Sequence, residues 1–239
     1  MTDDAPKSPR RGRVSPPDLG APAQPRNLAG PAKSARGKKL SSKLWIERQL
    51  SDPYVARAKL EGYRSRAAYK LKELDSKHAI IRRGARVIDL GAAPGGWTQV
   101  ALERGAARVV GIDLLAIGPI AGAQFIRGDF LGEEAPGAVM AALGGPADLV
   151  LCDMAANTTG HRRTDHLRTA ALAEAGVDFA IAALAPGGAF VAKVFQGGSE
   201  ADMLRRLRDC FKVVRHVKPP ASRSASPELY VVAMGFRGR

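Results

Sequence analysis

Five short apolar runs alternate with helix-patterned stretches between Arg86 and Cys210, and the first run leads directly into a glycine-rich loop. The runs are Arg86–Leu90, Arg108–Asp113, Gln124–Asp129, Ala147–Asp153 and Ala189–Phe195. Their apolarity is continuous rather than alternating, which predicts strands buried on both faces: a mostly parallel sheet with helices on each side. Helices are expected over Trp97–Arg104, Thr169–Leu184 and Glu200–Cys210. Two last strands, near Phe211–Val217 and Glu228–Met234, read as an antiparallel hairpin at one edge, joined by the polar segment 218–227. Upstream, Ser41-Ser42 suit the cap of a helix through Trp45, Ile46 and Leu50. A second helical stretch covers Tyr54–Lys59, and a third starts at Ser65 with Ala68, Tyr69, Leu71 and Leu74 on one face. Residues 1–40 are rich in Pro, Gly, Ser and Arg and poor in large apolar residues, so they read as a disordered tail before a domain of residues 41–239.

The loop after the first strand, Asp89-Leu-Gly-Ala-Ala-Pro-Gly-Gly-Trp97, opens a helix at the carboxyl end of a strand. Ligands of open α/β sheets bind there, and small residues let the backbone approach them closely. A dinucleotide is a poor fit. The Gly-x-Gly-x-x-Gly spacing is absent, and Pro94 removes one N–H from what would be a pyrophosphate cradle, which argues against a nicotinamide oxidoreductase. An acid ahead of the loop suits a cation, and S-adenosyl-L-methionine is a nucleoside with a sulfonium, an amino group and no phosphate. Asp113, at the end of the second run, is placed to accept from a ribose diol, and Asp129, after the third, from an adenine amino group. Singly, such residues are common turn formers. In register at successive strand ends they form a pattern.

The formal net charge is +14. It suits a polyanionic partner such as nucleic acid, or a generally basic surface. Residues 1–43 hold ten Lys/Arg against three Asp, compatible with a solvated tail or with an RNA-grasping arm. Further basic groups, Lys43, Arg48, Arg57, Lys59, Arg64 and Arg66 early and Arg205, Arg206, Lys218 and Arg223 late, line an RNA face only if the fold brings them together. Two cysteines, Cys152 and Cys210, give neither a disulfide framework nor metal-ligand spacing, so a reducing cytoplasm is the expected compartment and no metal is expected. No apolar run reaches membrane-spanning length. Nothing in the sequence calls for more than a monomer.

Four segments occur together and in order: Ser65-Arg-Ala-Ala-Tyr-Lys-Leu71, Asp89 to Trp97, Asp153-Met-Ala-Ala-Asn157 and Val191-Ala-Lys-Val-Phe-Gln-Gly197. In these the chain resembles the FtsJ/RrmJ (RlmE) family, bacterial heat-shock methyltransferases of large-subunit ribosomal RNA, over about residues 41–236. The resemblance implies a Rossmann-like S-adenosylmethionine-dependent methyltransferase fold. It implies methyl transfer to a uridine ribose 2′-hydroxyl in 23S rRNA, with RNA and not DNA as partner. The family's Lys-Asp-Lys-Glu catalytic set falls on Lys70, Asp153, Lys193 and Glu228, and its cofactor contacts on Gly95, Trp97, Asp113, Asp129 and Asp153. Two positions depart from the family pattern: Ala156 replaces a proline beside the site, and Pro227 replaces a polar residue before Glu228.

The chemistry explains why such residues are needed. A sulfonium methyl is already activated, so the protein must align it with the attacking oxygen and remove that oxygen's proton. Lys193 lies within an apolar strand run, an unusual place for a solvated lysine, where burial and a second cation, Lys70, would favour its neutral form. The set is read with Lys193 as proton acceptor, Lys70 and Glu228 as orienting groups, and Asp153 between cofactor and lysine. Lysines at such a site can also hold a phosphate, and sequence does not separate the two roles. Methylation of another RNA such as tRNA, or a non-catalytic RNA-binding assembly factor on the same fold, are the competing readings.

Overall fold

The computed structural model describes residues 51–155, 161–195 and 201–238. The stretch 1–40 and the helix expected from Ser41 lie outside them. The elements are α1 (Pro53–Glu61), α2 (Ala67–His78), β1 (Arg86–Leu90), α3 (Gly96–Glu103), β2 (Arg108–Asp113), β3 (Ala123–Arg127), α4 (Ala135–Leu143), β4 (Ala147–Cys152), α5 (Arg162–Ala183), β5 (Leu184–Phe195), α6 (Ala201–Cys210), β6 (Phe211–Val217) and β7 (Glu228–Phe236).

The seven strands form one sheet in the order β3-β2-β1-β4-β5-β7-β6. The five central and left-hand strands are parallel, as expected. The hairpin lies at the edge, but its second strand is the inner one: β7 runs antiparallel between β5 and β6. Strand order reverses between β1 and β4, so their carboxyl ends flank the crevice where ligands of such sheets bind.

The strands bury both faces because their side chains alternate. Ile88, Leu90, Val110, Ile112, Val150, Phe190 and Ala192 point to one side, into a core completed by residues of α4, α5 and α6. Val87, Val109, Leu149, Leu151, Val191 and Val232 point to the other, against residues of α2 and α3. Each fully buried aliphatic side chain contributes roughly 1.5–3 kcal/mol relative to exposure. Helix α4, in the crossover between β3 and β4, was not assigned from the sequence; Pro136 and Gly137 interrupt any helical pattern there, yet a proline in the first turn lacks only an N–H that would have no partner. Strand β5 begins at Leu184, earlier than expected, and runs through Pro186-Gly187-Gly188 with a register shift against β4 at Ala147 and Leu149.

Helix α1 is capped by Asp52, whose carboxylate accepts from Tyr54 N at 3.1 Å. It packs through Ala58 on Tyr69 of α2 and on Ala221 of the β6–β7 connection, and Tyr54 and Tyr63 close this small cluster. Tyr54 packs at 5.3 Å from the Tyr69 ring and donates to Glu73.

Candidate active site

The β1 loop fixes one wall. Gly91 adopts φ +78°, and a Cβ there would lie 2.9 Å from the backbone of Met154. Only glycine lets the loops after β1 and β4 come this close. Below the loop, Asp89 is fully buried; its Oδ2 accepts from Thr98 Oγ1 at 2.7 Å and its Oδ1 has no hydrogen-bond partner. Burial, reinforced by the negative charges of Asp153 and Asp113 and opposed by the Thr98 hydrogen bond, pushes its carboxyl up to about 7.

At the carboxyl ends of β1 to β4 lies a cleft of about 390 Å³. Asp113, Asp129 and Asp153 line it together with Ile112, Leu114 and Phe130, and among the described residues that line it none is basic. Asp113 is held by two backbone amides, Ala93 N to Oδ2 at 2.9 Å and Leu115 N to Oδ1 at 2.8 Å, and each oxygen keeps a lone pair for a ligand hydroxyl. Asp129 Oδ1 accepts from Leu131 N at 3.0 Å. A site with three acids and apolar walls suits a cationic nucleoside rather than a phosphate ester.

Of the residues assigned to the cofactor, these three aspartates line the cleft. Gly95 stands apart, at the N-cap of α3, where a Cβ would meet Ile120 and Arg64. Trp97 is 3% exposed and lies in the core: its Nε1 donates to Ala67 O at 2.8 Å, and its ring backs that of Tyr230 at 5.6 Å.

The four expected catalytic residues do converge. Antiparallel pairing of β5 with β7 sets Lys193 opposite Tyr230, and Glu228, two residues along β7, shares Tyr230's face. Lys193 Nζ donates to Asp153 O at 2.8 Å and pairs with Asp153 Oδ1 at 3.1 Å. Lys70 Nζ pairs with Glu228 at 2.8 Å. Tyr230 joins the pairs: its hydroxyl donates to Asp153 Oδ1 at 3.0 Å and accepts from Lys70 Nζ at 3.1 Å. Ser222 Oγ donates to Glu228 at 2.8 Å, and Glu228 N donates to Ser226 Oγ at 3.3 Å, so Pro227 leaves Glu228 anchored on both sides. Burial alone would raise the Asp153 carboxyl; Lys193, Lys70 and the Lys193 and Tyr230 hydrogen bonds outweigh it and hold it below the usual carboxylate range. Burial and the Asp153 and Glu228 carboxylates push the Tyr230 hydroxyl well above its ordinary value. Tyr230 had no place in the sequence reading; within Leu-Tyr-Val-Val it looks like an ordinary strand aromatic.

A second recess, of about 570 Å³, opens beyond this cluster and is lined by Arg66, Lys70, Arg223, Ala225, Ser226 and Glu228. Early and late basic residues meet here: Arg66 and Arg223 both pair with Asp52 Oδ2 at 3.0 Å. Others do not. Arg64 donates to the carbonyls of Pro94, Gly118 and Pro119, Arg57 pairs with Glu61, and Arg206 pairs with Asp178. The charged chain Lys193–Asp153–Tyr230–Lys70–Glu228 is thus the partition between two recesses, one acidic and one basic.

Residues 63–236 match the FtsJ-like methyltransferase family. Ribosomal RNA large subunit methyltransferase E of Acidiphilium cryptum is 63% identical over 212 residues, 89% of this chain and 94% of that protein. The protein of the same name from Gluconobacter oxydans is 58% identical, over 89% of this chain and 79% of its own. A solved Plasmodium falciparum structure described as a ribosomal RNA methyltransferase superposes with a TM-score of 0.66 at 30% identity, covering 74% of this chain and all of that one.

Proposed function

The chain belongs to the FtsJ-like methyltransferase family, and from that premise we propose that it transfers a methyl group from S-adenosyl-L-methionine to the 2′-hydroxyl of a uridine in large-subunit (23S) ribosomal RNA, as a cytoplasmic monomer whose transferase domain is residues 41–239. The observation that carries the reading is the partition: Asp153 lines the acidic cleft, while Lys70 and Glu228 line the basic recess behind it.

The cleft fits the cofactor. Asp113 would hold the ribose diol, Asp129 the adenine amino group, and Asp153 would favour the cationic end, while Ile112, Leu114 and Phe130 offer apolar surface to the base. When bound, the cofactor supplies an already activated methyl group. The protein's residues do the rest. Arg66 and Arg223 draw the RNA backbone into the basic recess. Lys193 Nζ takes the proton that the 2′-hydroxyl loses as its oxygen gains the methyl. Asp153 and Tyr230 keep Lys193 and Lys70 in place, and Glu228 balances Lys70. Bringing the 2′-oxygen from the basic recess into line with the methyl group held in the acidic cleft, at the Asp153 boundary between them, is itself a large part of the catalysis.

The test is transfer of labelled methyl from S-adenosyl-L-methionine to large ribosomal subunits, 23S rRNA and tRNA, with protein alone as the control. A single 2′-O-methyluridine mapped in 23S rRNA is expected. Label in tRNA only, or on a base, would overturn the assignment.

A further inference from the structure

The opposite, amino edge of the sheet carries a second set of cations that the site does not use. Lys77 lies in the last turn of α2, Arg82 and Arg83 lie in the turn into β1, Arg104 follows α3, and Arg86 and Arg108 are register partners at the first positions of β1 and β2. Lys77, Arg82, Arg83, Arg104 and Arg108 are exposed. Hydrogen bonds tie these turns together: Gly84 N donates to Gly105 O at 2.7 Å and Ala107 N to Ala85 O at 2.9 Å. The turns are shaped around the arginines. A Cβ on Gly105 would lie 3.2 Å from Arg83 Cγ, and one on Gly145 would run into the Arg86 guanidinium.

The compensating charge is small. Two carboxylates are tied to this cluster, Asp75 with Arg104 and Asp148 with Arg82, and each also accepts a backbone amide, from Ile81 and from Arg86. Arg108 donates to the neutral Gln124 side chain, and neither Lys77 nor Arg83 has a carboxylate within ion-pair distance among the described residues. His78, next in the chain, is held below its ordinary value by burial and then by Lys77 and Arg215.

Helix α2 links this edge to the site. Arg66, at its N-cap, lines the basic recess, and Lys77 stands about 16 Å further along at roughly 1.5 Å per residue. We propose that the amino edge, around Lys77, Arg83 and Arg108, is a second contact for the phosphate backbone of the substrate RNA, engaging a segment distant from the target nucleotide. The proposal rests on the RNA reading above. Charge without base-reading side chains gives affinity and orientation rather than sequence choice. Target choice stays with the catalytic edge.

The experiment uses the full chain and the K77Q/R83Q/R108Q variant, whose three residues take no carboxylate partner. Binding of a labelled 23S rRNA transcript is measured across a salt series, with Tm checked in parallel and K77R/R83K/R108K as the charge-keeping control. The variant is expected to bind about tenfold more weakly, with the slope of log affinity against log salt reduced by about two to three, roughly one per lost phosphate contact. Its kcat for methyl transfer should be unchanged and its KM for the RNA raised, while the control binds like the parent. An unchanged salt slope, or a control that loses as much as the glutamine variant, overturns the second contact. Absence of methyl transfer by the unaltered protein overturns the functional reading instead, and leaves the binding comparison to decide the surface.

Discussion

The two recesses on either side of Asp153 are made of opposite materials. The acidic cleft is built locally: Asp113 and Asp129 each stand at or just past the end of a strand and are fixed by an amide two residues on, Leu115 N and Leu131 N. The partition is built from afar, with Lys70 on α2, Asp153 after β4, Lys193 on β5 and Glu228 and Tyr230 on β7, so that Lys70 and Tyr230 are 160 residues apart in the chain. The cleft's acids keep solvent and backbone partners. The partition's charges have traded water for one another. Loss of a cleft residue should therefore be felt by one ligand, whereas loss of a partition residue strands a desolvated charge and is felt by the reaction and the fold together.

The hardest test of that contrast is Lys193→Ala. It removes the proposed proton acceptor and leaves Asp153 without its nearest cation. Methyl transfer should fall by about 10²–10⁴-fold, the range of a lost general acid–base group, while cofactor binding measured calorimetrically stays near the parent value. A variant that transfers methyl normally would remove Lys193 from the chemistry. Next in size is Tyr230→Phe, which deletes one hydroxyl and breaks its bridge between the Lys193–Asp153 and Lys70–Glu228 pairs. Each pair survives, so the loss should be smaller: kcat down by roughly tenfold, and stability down by about 1.5–3 kcal/mol, the range for a hydrogen bond to a charged group. A change confined to the RNA KM would mean that the two pairs act independently and that the hydroxyl merely fills space.

The same contrast explains what could be read from the sequence. The parallel strands, the glycine loop and the cleft aspartates Asp113 and Asp129 follow from patterns a few residues long. Lys70, Asp153, Lys193 and Glu228 have no such local mark apart from the odd apolar setting of Lys193, and it took the family resemblance to group them. Tyr230 escaped because an aromatic in an apolar strand is ordinary; its one signal is the two-residue step from Glu228, which puts both on one face of β7. The meeting of Arg66 and Arg223 at Asp52 was equally hidden, since Asp52 and Arg223 are 171 residues apart. Arg64 illustrates the converse: grouped by charge with the RNA-facing residues, it spends its guanidinium on three backbone carbonyls around the glycine loop.

A smaller effect is expected on the cleft side. In Asp113→Asn the amide oxygen can keep one of the two backbone hydrogen bonds, and the fold should be nearly unaffected. What is lost is a charged acceptor for two ligand hydroxyls. The Kd for S-adenosyl-L-methionine should rise about tenfold, close to 1.4 kcal/mol, with kcat at saturating cofactor unchanged. A drop in kcat of the size seen for Tyr230→Phe would show that the cleft and the partition are not separable.

The smallest effect concerns Asp89, which lies beneath the glycine loop and, like the partition, is buried. Its carboxyl lies near 7 in the fold, against an ordinary value of 3.8. Between those values the folded chain holds a proton that the unfolded chain has released, so stability falls as pH rises from about 4 to about 7 and stays lower above it. Asp89→Asn has no such proton to lose, and its amide oxygen can still accept from Thr98. Melting curves of the two proteins should therefore lie closest near pH 5 and separate towards pH 8, with the asparagine variant gaining a few degrees relative to the parent. Parallel curves over that range would mean that Asp89 is ionised throughout, with its unpaired Oδ1 satisfied by a bound group in place of a proton.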